Sequence, residues 1–255
     1  MELAETVDRV AQWVANSNDI LVFTGAGIST ESGIPDFRSP GGLWDRFDPN
    51  EFTYQSFLAS EENRKKRWQF YLEMYKTFAQ ARPNAAHLAI AELEKRGKLN
   101  AVITQNVDNL HQQAGNTPEK VIEIHGTVEQ VKCLSCGSRI NKEQIIARLE
   151  RGEEVPRCHD CRGILKPATI SFGEAMPQEE MQKAQEQIQQ CDLCFSIGSS
   201  LVVYPAAQFP LAAKQQGARL VIVNREATHA DQIADAVIHG SAGEIMKKIL
   251  DAAKI

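Results

Sequence analysis

The sequence predicts an α/β protein: a Rossmann-like, doubly wound parallel sheet carrying a small inserted module and a helical cap segment. Three observations predict it. Short apolar runs alternate with helical stretches along most of the chain, the pattern of parallel strands joined by crossover helices. The first apolar run ends in Gly25-Ala26-Gly27, a strand-to-helix turn suited to a dinucleotide. Two Cys-x-x-Cys pairs, Cys133/Cys136 and Cys158/Cys161, interrupt the alternation with 21 residues between them.

The elements follow in order. Residues 1–17 place Leu3, Val7, Val10, Ala11 and Val14 at helical spacing, predicting an amphipathic first helix. Residues 19–24 read as a buried strand, and further strands are predicted at 101–104, 121–124, 193–197, 219–223 and 236–238. Helices are predicted over 84–96, 178–190, 204–216 and 243–253. Residues 43–78 are rich in aromatics, from Trp44 to Phe78, and read as a helical cap. The sheet domain then comprises 1–42, 79–128 and 169–255, with the cap and a metal module at 129–168 forming a smaller domain. Within the cap, Arg64-Lys65-Lys66-Arg67 reads as a solvated face, with a docking patch as the alternative.

Composition is that of an ordinary globular chain: 255 residues, 43% hydrophobic, 24% charged. A formal charge of −5 disfavours a protein that coats phosphate backbones. No apolar run approaches the roughly 18 residues of a membrane span. Glu2, Glu5 and Asp8 precede any hydrophobic stretch, unlike a signal peptide, so a cytoplasmic location is expected.

In a reducing compartment, paired cysteines hold metal more often than they form disulfides. Cys133, Cys136, Cys158 and Cys161 offer four thiolates and no open position, the ligand set of a structural zinc ion. Gly137 and Gly163 follow the two pairs and are read as permitting the sharp turns. His159 is read as a bystander. Cys191 and Cys194 straddle the start of a strand and are read as core cysteines, on opposite faces by strand alternation.

Gly25-Ala26-Gly27 alone is weak evidence for a dehydrogenase, because Thr30 occupies the third glycine position of the usual fingerprint. More specific are Gly33-Ile34-Pro35-Asp36-Phe37-Arg38, Thr104-Gln105-Asn106-Val107-Asp108, Glu123-Ile124-His125-Gly126, Phe172-Gly173-Glu174 and Gly198-Ser199-Ser200. Polar clusters at the carboxyl ends of several strands build the ligand crevice of an open α/β sheet. Taken singly, His125 reads as a satisfied core histidine and Gln105-Asn106 as caps.

Together, in this order and with the cysteine quartet between His125 and Phe172, these motifs resemble the sirtuin family of NAD-dependent protein deacylases, over about residues 21–250. The resemblance implies that NAD is consumed and that lysine is deacylated, giving nicotinamide and O-acyl-ADP-ribose. It implies a cofactor site at Gly25, Ala26, Gly27, Thr30, Asp36, Phe37, Arg38, Gln105, Asn106, Val107, Asp108, Gly198, Ser199, Ser200, Asn224 and Ala242. His125 matches the general base. Ile170, Phe172, Gly173 and Glu174 match one edge, and Val203 the other, of a groove where the acyl-lysine peptide lies as an added strand.

Relatives that resemble desuccinylases carry a Tyr and, three residues later, an Arg that grips the acyl carboxylate. Here Tyr71 fits and is counted as a substrate contact, whereas Met74 replaces the arginine, which points to acetyl or other neutral acyl groups. The chain also departs from common patterns at Ser199, Val107 and Ser171. Protein ADP-ribosyltransfer is the alternative within enzymes, as is a preference for a non-acetyl acyl group. A nucleic-acid adapter is disfavoured, since residues 129–168 mix both charges and lack Phe, Tyr and Trp. No direct nucleic-acid or membrane partner is expected, and the sequence leaves the oligomeric state open.

Overall fold

The computed structural model describes residues 3–255, so the first two positions of the predicted N-terminal helix lie outside the described residues. In chain order the elements begin with α1 (Leu3–Asn16), β1 (Ile20–Thr24), α2 (Tyr54–Ala59), α3 (Glu61–Gln80), α4 (Ala85–Lys95), β2 (Leu99–Thr104), α5 (Leu110–Ala114) and β3 (Val121–Glu123). Next come β4 (Gly126–Cys133), β5 (Arg139–Asn141), α6 (Lys142–Glu150) and β6 (Leu165–Thr169). The chain ends with α7 (Gln178–Ile188), β7 (Leu193–Ile197), α8 (Gln208–Gln215), β8 (Arg219–Asn224), β9 (Ala236–His239) and α9 (Ala242–Ala253).

Among the described residues, six parallel strands form one sheet in the order β3-β2-β1-β7-β8-β9. Strands β1 and β7 are buried at every position, which is why they read as continuous apolar runs rather than alternating ones. Alternate side chains serve two cores. Val22, Val102 and Phe195 meet α1, α4 and α9 on one face. Leu21, Phe23, Ile103 and Cys194 meet α7 and α8 on the other. The order reverses between β1 and β7, so the sheet opens a crevice there at its carboxyl edge.

A second sheet, β5-β4-β6, is antiparallel. It runs from Gly126 to Thr169, a little beyond the 129–168 expected. Trp68 of α3 is fully buried against Val128, Val131, Ile145 and Leu165 of this lobe, and removing such an indole costs about 3–5 kcal/mol. The cap and the cysteine module therefore share one core.

Several expectations are corrected. The chain after Gly25 forms a 3-10 helix, Ala26–Ser32, because its backbone is pinned to the β7 loop. The helix expected over 204–216 begins only at Gln208. The basic run is not a uniformly solvated face: Arg64 is buried and Arg67 half-buried. Arg64 donates to the carbonyls of Phe57 and Leu58, whereas Lys65 and Lys66 pair outward with Glu154 and Glu51. Cys191 and Cys194 pack in the same core, since β7 starts at Leu193 and strand alternation does not reach Cys191.

Candidate active site

The cleft is built from loops at the carboxyl ends of β1, β2, β7 and β8. Gly27 donates to the Gly198 carbonyl (2.8 Å), and Gly198 donates to that of Val223 (2.9 Å). Gly198 has φ +62, and a Cβ there would stand 2.2 Å from the Ile28 nitrogen. Only glycine lets these two loops meet backbone to backbone. Beside them lies a cavity of about 120 Å³ lined by Ala26, Gly27, Thr30, Asp36, Phe37, Arg38, Gly198, Ser200, Asn224 and Ala242, with Arg225 and Glu226. Arg225 and Glu226 were not legible as site residues, because nothing distinguishes them from any surface pair after a strand.

Asp36 organises the loop at the rim. Its carboxylate accepts from the Arg38 and Ser39 amides at 3.0 and 2.8 Å and from the Ser39 hydroxyl at 2.5 Å. Phe37 stays 39% exposed, its ring tilted against Trp44 at 5.1 Å between centres, and Trp44 in turn lies 6.0 Å from Phe172. These rings join the cleft to the 170–174 segment.

The inner wall is a hydrogen-bonded chain. Gln105 donates to the Ser199 hydroxyl (2.9 Å), and Asn106 donates to the Gly25 carbonyl (3.1 Å) and to Ser29 (3.2 Å). Ser29 donates to Asp108 (2.7 Å), whose other oxygen accepts from the Leu110 amide (3.0 Å). Burial pushes the Asp108 carboxyl above its ordinary range, against these hydrogen bonds, which pull it down. Val107 packs behind, against the core of the small lobe.

His125 sits between this wall and the second sheet. Its Nδ1 lies 3.1 Å from the Gln105 carbonyl oxygen. Its own carbonyl accepts from Ile170 at 2.8 Å. Burial holds the imidazole below its usual pKa, partly offset by the Gln105 bond. Two residues earlier, burial raises Glu123 to about 7, a titrating neighbour for which the sequence offered no reason beyond proximity.

The 170–174 segment forms an edge against the cap: Phe172 accepts from the Tyr54 amide (2.8 Å) and bridges Thr53. Gly173 has φ +75. Glu174 turns inward, to the Ser171 amide (2.9 Å) and Lys166 (2.8 Å), so its carboxylate is already engaged within the chain. Val203 lies in the loop after β7, between the exposed Val202 and Tyr204. Tyr71, expected as a substrate contact, is buried, and its hydroxyl donates to the Val128 carbonyl at 2.8 Å. It braces the lobe behind His125 rather than presenting a free hydroxyl, and burial pushes the phenol above its ordinary pKa.

The four cysteines of the second sheet converge. Their sulfurs all lie within 4.8 Å of one another, with Cys133–Cys161 at 3.5 Å and Cys136–Cys158 at 3.8 Å. Sulfurs at tetrahedral corners about 2.3 Å from zinc stand about 3.8 Å apart, so the quartet fits a closed Zn²⁺ site. Gly163 serves here by size rather than by torsion. A Cβ on it would stand 2.4 Å from the Ser135 hydroxyl, and Arg162 takes the left-handed conformation instead. His159 is fully exposed and stays outside the quartet.

A dinucleotide crevice that ends at an imidazole, with metal ligands segregated in another lobe, is the layout of a nucleotide-using α/β enzyme with a structural metal. The model of the Sir2 family matches residues 25–205, and the chain belongs to that family. It is 49% identical over 245 residues to NAD-dependent protein deacetylase 1 of Bradyrhizobium diazoefficiens, covering 96% of this chain and 95% of that one. It is 44% identical over 254 residues to NAD-dependent protein deacylase 2 of Archaeoglobus fulgidus, covering 99% and 98%. Among solved structures it is similar to one described under "Structural Basis for the Mechanism and Regulation of Sir2 Enzymes" (TM-score 0.90, 44% identity, 99% of each chain). A second is described as "Sir2-p53 peptide-NAD+" (TM-score 0.87, 38% identity, 100% and 99%). Among the described residues, no helix is long and apolar enough to cross a membrane.

Proposed function

We propose that this chain is an NAD-dependent protein-lysine deacetylase that yields deacylated lysine, nicotinamide and O-acyl-ADP-ribose. The observation that carries the reading is the single acceptor facing His125 Nδ1. A carbonyl oxygen can only accept, so Nδ1 bears the proton and Nε2 is left as a base.

The cleft suits the cofactor because its glycines let the loops after β1 and β7 close backbone to backbone beside the cavity. NAD bound there supplies a sugar carbon with nicotinamide as leaving group, which a weakly nucleophilic amide oxygen requires. Ala26, Gly27, Thr30, Phe37, Arg38, Ser199, Ser200, Asn224 and Ala242 would hold the dinucleotide, while Gln105, Asn106 and Asp108 would face the nicotinamide end. The Asp108 carboxylate is fixed on two donors before any ligand arrives, so orienting a carboxamide needs little reorganisation. The exposed Phe37 ring covers the mouth and excludes water. His125 accepts a proton from a ribose hydroxyl. The peptide lies as an added strand between 170–174 and Val203.

Residues 1–42, 79–128 and 169–255 act as the nucleotide domain, with 43–78 and 129–168 as the small one. The proposal includes a cytoplasmic location, where thiol pairs stay reduced. The test incubates an acetyl-lysine peptide with and without NAD and analyses both products by mass spectrometry. Deacetylated peptide together with O-acetyl-ADP-ribose, only when NAD is present, supports the reading. ADP-ribose on protein with the acetyl group retained would favour transferase activity instead.

A further inference from the structure

The 169–174 segment is gripped by two cations from different parts of the molecule, Arg67 half-buried and Lys166 buried. Arg67 comes from α3 of the cap. Its Nη2 donates to the Ser171 hydroxyl at 3.2 Å, and its guanidinium lies 4.6 Å from the centre of the Phe52 ring. Lys166 comes from β6 of the cysteine lobe, and its side chain is only 3% exposed. It reaches Glu174 at 2.8 Å and donates to the Thr169 carbonyl. Glu174 in turn accepts from the Ser171 amide.

Lys166 therefore pairs with a carboxylate that also holds the Ser171 amide, while Arg67 reaches the hydroxyl of the same serine. A packed core favours apolar side chains over such a group, so stability alone does not account for it. Burial lowers Arg67 to about 10, which leaves it charged at neutral pH, and also lowers Lys166, against the pull of Glu174. What they hold is short: Ser171 and Glu174 flank Phe172 and Gly173. A loop that must receive another chain's backbone loses affinity for every torsion ordered on binding, and this one is ordered beforehand.

We propose that Arg67 and Lys166 are positioning residues for the peptide substrate, presetting the 169–174 edge through the Ser171 hydroxyl and the Glu174 carboxylate. The proposal rests on the deacylase reading above. It requires that the two cations matter to a substrate with flanking backbone and not to one without it.

The experiment compares Arg67→Met and Ser171→Ala with the parent on a peptide of about ten residues and on a single capped acetyl-lysine. KM and kcat for each substrate, KM for NAD, and zinc content are measured. A charge-assisted hydrogen bond supports about a tenfold rise in peptide KM. KM for NAD, zinc content and turnover of the single residue stay at parental values. Arg67→Lys, which keeps the charge and a donor, recovers part of the loss. The double variant Lys166→Met with Glu174→Gln, which removes both ions of that pair, also raises peptide KM at unchanged zinc content. Should Arg67→Met fail to fold, Ser171→Ala removes the same contact with a smaller change. An equal loss on both substrates, or an unchanged peptide KM, overturns the proposal. A parent that turns over neither substrate with NAD overturns the deacylase reading and this proposal with it.

Discussion

His125 and Gln105 are joined by a bond from imidazole Nδ1 to a main-chain carbonyl, 3.1 Å long. Because a backbone oxygen cannot give up a proton, the ring has one stable tautomer, and its other nitrogen is kept basic. Replacing His125 by Ala removes that base without touching the residues that line the cofactor cavity. Deacylation is expected to fall about 10²–10⁴-fold, with NAD affinity within a few-fold of the parent. Isothermal titration and product assays check both halves, and activity within a few-fold of the parent would sink the assignment.

The same burial predicts the acid limb of the pH profile. A neutral imidazole is the working form, and burial lowers its pKa, so activity persists as pH falls until the depressed pKa is crossed. The midpoint in log kcat is expected below the ordinary histidine value of about 6.5. Glu123, raised to about 7, is the competing titration. Glu123→Gln should leave the midpoint in place, and a midpoint that moves with this variant contradicts the prediction.

The His87 and His111 rings meet edge to face with their centres 5.0 Å apart. His111 Nε2 lies 3.0 Å from the Thr24 hydroxyl. Burial lowers His87 to about 4 and His111 well below its usual value. Folded pKa values below unfolded ones mean that the unfolded chain takes up protons first as pH falls. Their stabilising contribution is therefore complete above about 6.5 and is lost as pH drops toward the folded values. Urea unfolding at pH 7 and pH 5 should show a shallower pH dependence in His87→Gln than in the parent. Equal slopes would refute this.

Most of the sheet was legible because its strands are apolar on both faces, and a chain cannot hide five consecutive residues such as Ile20 to Thr24 from a reading of hydropathy. The cysteine quartet was legible from spacing alone. The three strands of the small sheet were not predicted, since β4 buries only Val128, Val131 and Cys133, without a period of two, among polar residues such as Glu129 and Gln130. Buried and half-buried charge escaped too: Arg67 and Lys166 look like surface residues until Phe52, Ser171 and Glu174 close around them. The bond from the Tyr71 hydroxyl to Val128 was not legible, because a motif gives the position of a hydroxyl, not the carbonyl it bonds.

Zinc removal is expected to act on folding rather than on chemistry. Cys133→Ser or Cys158→Ser should lower metal content from about one ion per chain toward zero and reduce the melting temperature, because binding and folding are coupled. His159→Ala, at a side chain 99% exposed, should retain full zinc. Parent protein purified without chelator and found free of metal would contradict the assignment.

Acyl preference follows from the cap helix. Met74 is buried with Ile34, Leu43 and Leu110, the Tyr71 hydroxyl is held by Val128, and Glu73 is paired with Arg46. No cation stands at position 74 for an acidic acyl chain, and a desolvated carboxylate left unpaired costs several kcal/mol. On one peptide sequence, kcat/KM for acetyl-lysine should exceed that for succinyl-lysine by at least about tenfold. Equal or higher efficiency on the succinyl peptide would overturn it.

The central pairing of the sheet has a kinetic consequence. Ile20 of β1 registers with Leu193 of β7, a separation of 173 residues. The loop between them contains the cap, the cysteine lobe and both β2 and β3. Pairing across so long a loop is entropically slow. A chain growing from its N-terminus can form β1-β2 and the cysteine lobe well before β7 exists. Until then β1 presents an unpaired apolar edge, the kind of surface on which nascent chains aggregate. The strand that closes the nucleotide crevice is thus also the one that ends the most vulnerable interval in the life of the chain.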